Sequence, residues 1–186
     1  MPRPNRPGAL APLRALATSL GQDVRWGWLS WPVNAVAASP LCPRVLRWAL
    51  LRAGGIRTST PNIAPRCSFT GGAGTTIGAG TFVNVGCYFE ATAPIVIGAD
   101  CQFGPEVMFV TSHHPSDEQG RVSRVPQPRG IVVGDRCWFG ARVTVLPGVR
   151  IGDDVVVAAG AVVTRDLAGP GRYGGVPAVP LGGGRG

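Results

Sequence analysis

The apolar positions of this chain recur at an interval of six. Counting from Ile77, a large aliphatic or aromatic residue returns at Val83 and Phe89, then at Ile97, Phe103 and Phe109, and then from Val133 through Phe139, Val145, Ile151, Val157 and Val163. An α-helix repeats its apolar positions every three or four residues and a flat strand every two. A sustained interval of six means three short faces per turn of a parallel β-helix, with eighteen residues to the coil. Four places after the large residue a second inward position follows, at Thr81, Cys87, Cys101, Val107, Cys137, Val143, Val149, Val155 and Ala161. Glycine often stands just after the large residue, as at Gly78, Gly98 and Gly134, where a tight corner has little room for a side chain. The predicted fold is all-β.

The register breaks where it matters most. Between Phe109 and Val133 it skips about one coil's worth of residues, and the skipped segment VTSHHPSDEQGRVSRVPQPRGIV is polar, holds three prolines and has no period. It is expected to leave the coil as a long protruding loop over 110–132. A slip of two residues after Phe89, around Glu90 to Pro94, reads as a bulged corner, and a similar slip between Phe69 and Ile77 contains Gly71, Gly72 and Gly74. Upstream, Pro12 to Gly21 and Arg44 to Gly54 have helical character. Val45, Leu46, Ala49 and Leu50 form one apolar stripe on the second, which is expected to cap the open end of the β-helix. Trp26, Trp28, Trp31 and Trp48 are expected to pack in that cap or in a subunit contact. The organisation is then a helical or irregular cap over 1–60, the β-helix over 61–180 and a flexible tail over 181–186.

Charge changes the picture only at one end. The formal net charge of +8 would suit a nucleic-acid binder if it were spread over the fold. Instead nine arginines face the single acid Asp23 up to Arg66, whereas nine arginines face nine acids from Cys67 onward. The main domain is balanced, and no nucleic acid is expected. The basic segment suits an anionic membrane, a polyanion or an acidic partner, or is simply a solvated face. The uncharged stretch from Trp26 to Pro43 is broken by Pro32 and Pro40 and makes a poor transmembrane span. The opening MPRPNRPG lacks the continuous apolar run of a secretory signal, so the expected compartment is the cytoplasm. Cys67, Cys87, Cys101 and Cys137 fall in inward slots and read as small buried hydrophobes. With no CxxC pairing, neither disulfides nor a zinc site is expected.

The candidate chemistry lies in the loop. His113 and His114 are the only histidines of the chain, and they sit where the scaffold departs from its repeat. Imidazole exchanges a proton near neutral pH, so an outward histidine there is a candidate general base. No GxSxG elbow accompanies it and the cysteines are expected to be buried, so direct transfer is favoured over a covalent acyl-enzyme.

Over Gly55 to Pro180 the chain resembles the hexapeptide-repeat acetyltransferases of the maltose, galactoside and nodulation-factor type, with their capsule and antibiotic relatives. The likeness is carried by the repeat, by FVNVGCYFE, by TSHHP, and by IVVGDRCWFGARVTVLPGVRIGDDVVVAAGAVVTRDLAGPGRYGGVPA. The leader NAVAASPLCPRVLRWALLRAGGIRT looks instead like that of acyltransferases that decorate polysaccharides. The resemblance implies a left-handed coil, a homotrimer with active sites between subunits, and acetyl-CoA as donor without a metal. The implied acceptor is a hydroxyl of a sugar, glycan or glycosylated natural product. It further implies His114 as the base in preference to His113, which would contact the acceptor, and Asn84 beside the acceptor hydroxyl. Trp138 would wall the thioester end of the donor, with Gly140, Ala159 and Gly160 along the pantetheine arm. Thr164 and Arg165 would border the donor, and Pro177 would lie beside the adenine, with Arg172 and Arg185 available to the phosphates. Glu90, Asp117 and Glu118 are all open as partners that orient the imidazole. N-acyl transfer to an amino sugar and a non-catalytic scaffold are the alternatives. A metal site of the carbonic-anhydrase-like kind would need three spaced histidines.

Overall fold

The structure is a computed structural model that describes residues 33–71 and 74–182. The readings made for Pro12 to Gly21, Trp26, Trp28, Trp31, Gly72 and Arg185 lie outside the described residues.

Short strands stack into three parallel sheets that form the faces of a β-helix. The first holds β1 (Arg57–Thr58), β3 (Thr75–Ile77), β6 (Ile95–Ile97), β9 (Ile131–Val133) and β12 (Arg150–Ile151). The second runs β4 (Phe82–Val83), β7 (Gln102–Phe103), β10 (Trp138–Phe139), β13 (Val155–Val157) and β15 (Gly171–Gly174), with β16 (Val179–Pro180) antiparallel at its edge. The third runs β2 (Ser68–Thr70), β5 (Tyr88–Glu90), β8 (Met108–Val110), β11 (Thr144–Val145) and β14 (Val162–Val163). Val132 pairs with Arg150, eighteen positions on, as the repeat requires. Ser68 pairs with Tyr88 and Tyr88 with Met108, twenty apart, which absorbs the two-residue slips. Gln102 pairs with Trp138, thirty-six positions on. One full coil of sequence is therefore extruded, and the solenoid closes over its root.

Every large residue of the six-fold pattern is buried, and so are the nine residues of the second slot. Phe69, Phe89 and Phe109 stack with centroids 4.8 and 5.2 Å apart, close to the spacing of neighbouring strands. The buried thiols are also satisfied. Cys67 Sγ donates to the carbonyl of Asn84 at 3.1 Å, Cys101 Sγ to Gly134 at 3.2 Å and Cys137 Sγ to Gly152 at 3.1 Å, each reaching the next coil. All five cysteines are free.

The cap departs from expectation. The helix α1 (Arg44–Ala53) does lie at the open end, but of its apolar stripe only Leu50 packs against the core, while Val45, Leu46 and Ala49 face outward, with Val45 71% and Leu46 50% exposed. The face turned inward carries Arg47 and Leu51, only 3% and 2% exposed. The cause is polar satisfaction. The chain around α1 turns carbonyls inward, and a buried carbonyl without a donor is costly. Arg47 supplies the donors, from Nε to Ala37 at 2.7 Å, from Nη1 to Ile63 at 2.9 Å, and from Nη2 to Ser39 at 3.0 Å and Cys42 at 2.8 Å. Nearby, Asn34 closes the free edge of β2 with a bond to the Phe69 carbonyl at 2.7 Å and one from its N–H at 3.0 Å. Trp48 reaches the carbonyl of Thr58 through Nε1 at 3.2 Å. Among the described residues no helix is long and apolar enough to cross a membrane.

Candidate active site

The coil order places the sequence candidates on two corners. Asn84, Gly140, Ala159 and Gly160 follow β4, β10 and β13, at the corner between the second and third sheets. The excursion that carries the histidines follows β8, and Thr164 and Arg165 follow β14, so these lie at the corner between the third and first sheets. Within one chain the third sheet separates the two groups.

The root of the excursion is tied to Glu90, the last residue of β5. Its carboxylate accepts the backbone N–H groups of Thr111 and Ser112, both at 2.9 Å, and the Ser112 hydroxyl at 2.7 Å. It also accepts the hydroxyls of Thr92 and Thr111. Burial alone would push this carboxyl up. The bonds from Thr92, Ser112 and Thr111 outweigh it and hold Glu90 below the ordinary carboxylate value. Beyond the root the two limbs of the excursion pair with each other. Arg129 N–H donates to the Thr111 carbonyl at 2.9 Å, Gln127 to His113 at 2.7 Å, and Ser123 to Pro115 at 2.8 Å. At the tip Arg121 and Asp117 form an exposed ion pair at 2.8 Å.

His114 sits on this braced tongue with its ring exposed. Its Nδ1 lies 2.9 Å from the carbonyl oxygen of Ser123. A carbonyl can only accept, so Nδ1 carries the proton and the lone pair of the neutral ring is on Nε2. The orienting partner is thus a backbone carbonyl. Glu90 grips the peptide chain two residues upstream, and Asp117 pairs with Arg121. His113 is half-buried, and its carbonyl belongs to the pairing within the tongue.

At the other corner Asn84 uses its Oδ1 to accept the N–H of Val85 at 2.8 Å, a corner bond. Its Nδ2 group takes no partner among the described residues and is the end available to a ligand. Trp138 stands 53% exposed on the outer face of the second sheet, between Gln102 and Val156. Pro105, Glu106, Ala141, Arg142, Ala159 and Gly160 line a groove of about 390 Å³. Gly160, at φ +71°, has open space where a Cβ would stand. Gly140 differs, because a Cβ there would come within 2.4 Å of the Ala159 nitrogen in the next coil. A second groove of about 520 Å³ runs past Arg129, Gly148, Thr164, Arg165 and Asp166, at the foot of the tongue. Pro177 lies exposed in the turn between β15 and β16, and Arg172 is also exposed, on β15. Among the described residues no three metal-ligating side chains cluster.

Sequence reasoning left the partner of the imidazole undecided, because a backbone carbonyl has no residue-type signature. The grip of Glu90 had one weak sign, its place at the start of a two-residue slip.

Residues 130–165 match the model for the hexapeptide repeat of succinyl-transferase. The solved maltose O-acetyltransferase of Clostridium difficile superposes with a TM-score of 0.73 at 29% identity, over 85% of this chain and 86% of that one. In sequence and fold this chain resembles the hexapeptide-repeat acetyltransferase family. A hexapeptide-repeat acetyltransferase of Vibrio cholerae, solved with acetyl coenzyme A, matches with a TM-score of 0.68 at 29% identity, over 95% of this chain and 91% of that one. Both share with it the left-handed β-helix of this acetyltransferase family. Among curated relatives, a Schizosaccharomyces pombe protein that carries an acetyltransferase name is 39% identical over 67% of this chain and 60% of its own length. The galactoside O-acetyltransferase of Lactococcus lactis is 34% identical over 52% of this chain and 47% of its own length. The chain thus spans about half the length of these curated relatives.

Proposed function

We propose that this chain is an acetyltransferase that moves an acetyl group from acetyl-CoA to a hydroxyl of a sugar, glycan or glycosylated natural product, by direct transfer in the cytoplasm. The observation that carries the reading is the bond from His114 Nδ1 to the Ser123 carbonyl. It keeps the Nδ1 proton on the carbonyl, so that in the neutral ring the lone pair is on Nε2, at the surface of a braced tongue. That nitrogen takes the proton of the acceptor hydroxyl as its oxygen attacks the thioester carbonyl, and returns it to the departing thiolate. Asn84 Nδ2 donates to the oxygen that gains charge at the reacting carbon. The acceptor class rests on the maltose and galactoside enzymes that the chain resembles.

The donor fits the first groove on physical grounds. Ala159 and the bare Gly160 let a slender arm lie against the coil, and the exposed face of Trp138 suits the acyl end. Thr164 and Arg165, in the second groove, would meet the donor's phosphates. Because the two grooves occupy different corners, a complete site needs a corner from each of two protomers. A three-fold ring of chains supplies that arrangement, with three equivalent sites.

The test is release of free thiol from acetyl-CoA against a panel of sugars, nucleotide sugars and natural-product alcohols. The reading requires release that depends on an alcohol. Release that no acceptor stimulates would contradict it.

A further inference from the structure

The cap helix keeps an apolar ridge on its outer face. Val45 and Leu46 are 71% and 50% exposed, Leu41 just before the helix is 91% exposed, and Val36 is 51% exposed. Val45, Ala49 and Ala53 are four residues apart, so with Leu46 they form one outward apolar ridge. The helix could have buried that ridge against the coil. It buries Arg47 instead, with four carbonyl bonds that fix the orientation. The outward ridge is a stable property of the cap.

The charge around the ridge selects its partner. Residues 33–66 contain five arginines and no acid, and Arg44, Arg52, Arg57 and Arg66 are exposed. The remaining N-terminal residues, 1–32, carry four arginines against one aspartate. Like charge opposes pairing of two caps. A surface that offers both apolar depth and dense negative charge meets no such objection. We infer that the cap docks this protein on an anionic lipid bilayer, with Leu41, Val45 and Leu46 entering the interface and the arginines at the headgroups.

Flotation of the full chain with phosphatidylcholine vesicles, with and without 30% phosphatidylglycerol, tests this. Binding should be at least about tenfold stronger to the anionic vesicles and should weaken in high salt. The variant Leu41→Ser with Val45→Ser and Leu46→Ser should lose about tenfold of that binding while its Tm stays within a few degrees. Arg44→Glu with Arg57→Glu should lose it as well, and neither set should change thiol release in solution. Equal binding to neutral and anionic vesicles would overturn the inference, as would undiminished binding by the triple serine variant. A clear fall in the Tm of that variant would also overturn it, since the ridge would then be covered by protein.

Discussion

His114 donates its Nδ1 proton to the carbonyl oxygen of Ser123, 2.9 Å away on the returning limb of the same excursion. The ring is thereby fixed in one tautomer by the chain that carries it. His114→Gln should therefore lose roughly 100-fold or more in kcat with little change in KM for acetyl-CoA. His113→Gln should retain most of the turnover. Steady-state kinetics on both variants check this, and a reversal of the two would move the role to His113.

Glu90 is expected to act on the tongue as a positioning residue. Glu90→Ala removes the acceptor of the Thr111 and Ser112 N–H groups, so hydrogen exchange across 111–130 should accelerate and kcat should fall about tenfold or more. Glu90→Gln keeps one acceptor oxygen and should recover part of both. The pH dependence follows from the sign of the shift. A carboxylate held below its ordinary value stabilises the root fully above the unfolded value of about 4.5, and the anchoring is lost as pH falls through the lower folded value. Exchange protection of the tongue should thus fall in acid in the native chain, whereas Glu90→Gln, whose amide does not titrate, should start less protected and lack that acid step.

The coil itself was legible in the sequence because burial on a β-helix is strictly periodic. Val133 through Val163 sit where six-residue counting puts them, and the thirty-six-residue pairing of Gln102 with Trp138 is the missing coil between Phe109 and Val133. The cap was misread for a reason of the same kind. Counting apolar positions predicts which face is buried only when apolar contact decides, and at α1 the carbonyls of Ala37, Ser39, Cys42 and Ile63 decide instead. The candidate residues could be named one by one, but their split between two corners follows from coil order, which motif spacing alone does not display.

Arg47→Met keeps much of the side-chain volume and strips the donors from four carbonyls. A loss on the order of 3 kcal/mol is expected, from the cost of leaving several buried acceptors unpaired. Thermal unfolding should show a lowered Tm, and exchange should rise first in residues 33–66.

The two glycines near the first groove should behave differently. Gly140→Ala drives a methyl into the backbone of Ala159 and should lower the Tm. Gly160→Val meets open space but strains a positive φ and fills the groove, so its larger effect should be a raised KM for acetyl-CoA. Tm and KM measured on both variants separate packing from donor binding.

The split of the site between corners is tested by mixing two dead variants. Protomers bearing His114→Gln and protomers bearing Asn84→Ala, refolded together in equal amounts, should regain up to about a quarter of native turnover. This follows because a site then takes its imidazole from one chain and its amide from another. Thiol release from acetyl-CoA in the presence of an accepted sugar reads it directly. Recovery towards that fraction is the predicted result, and a mixture as inactive as either variant alone would contradict it.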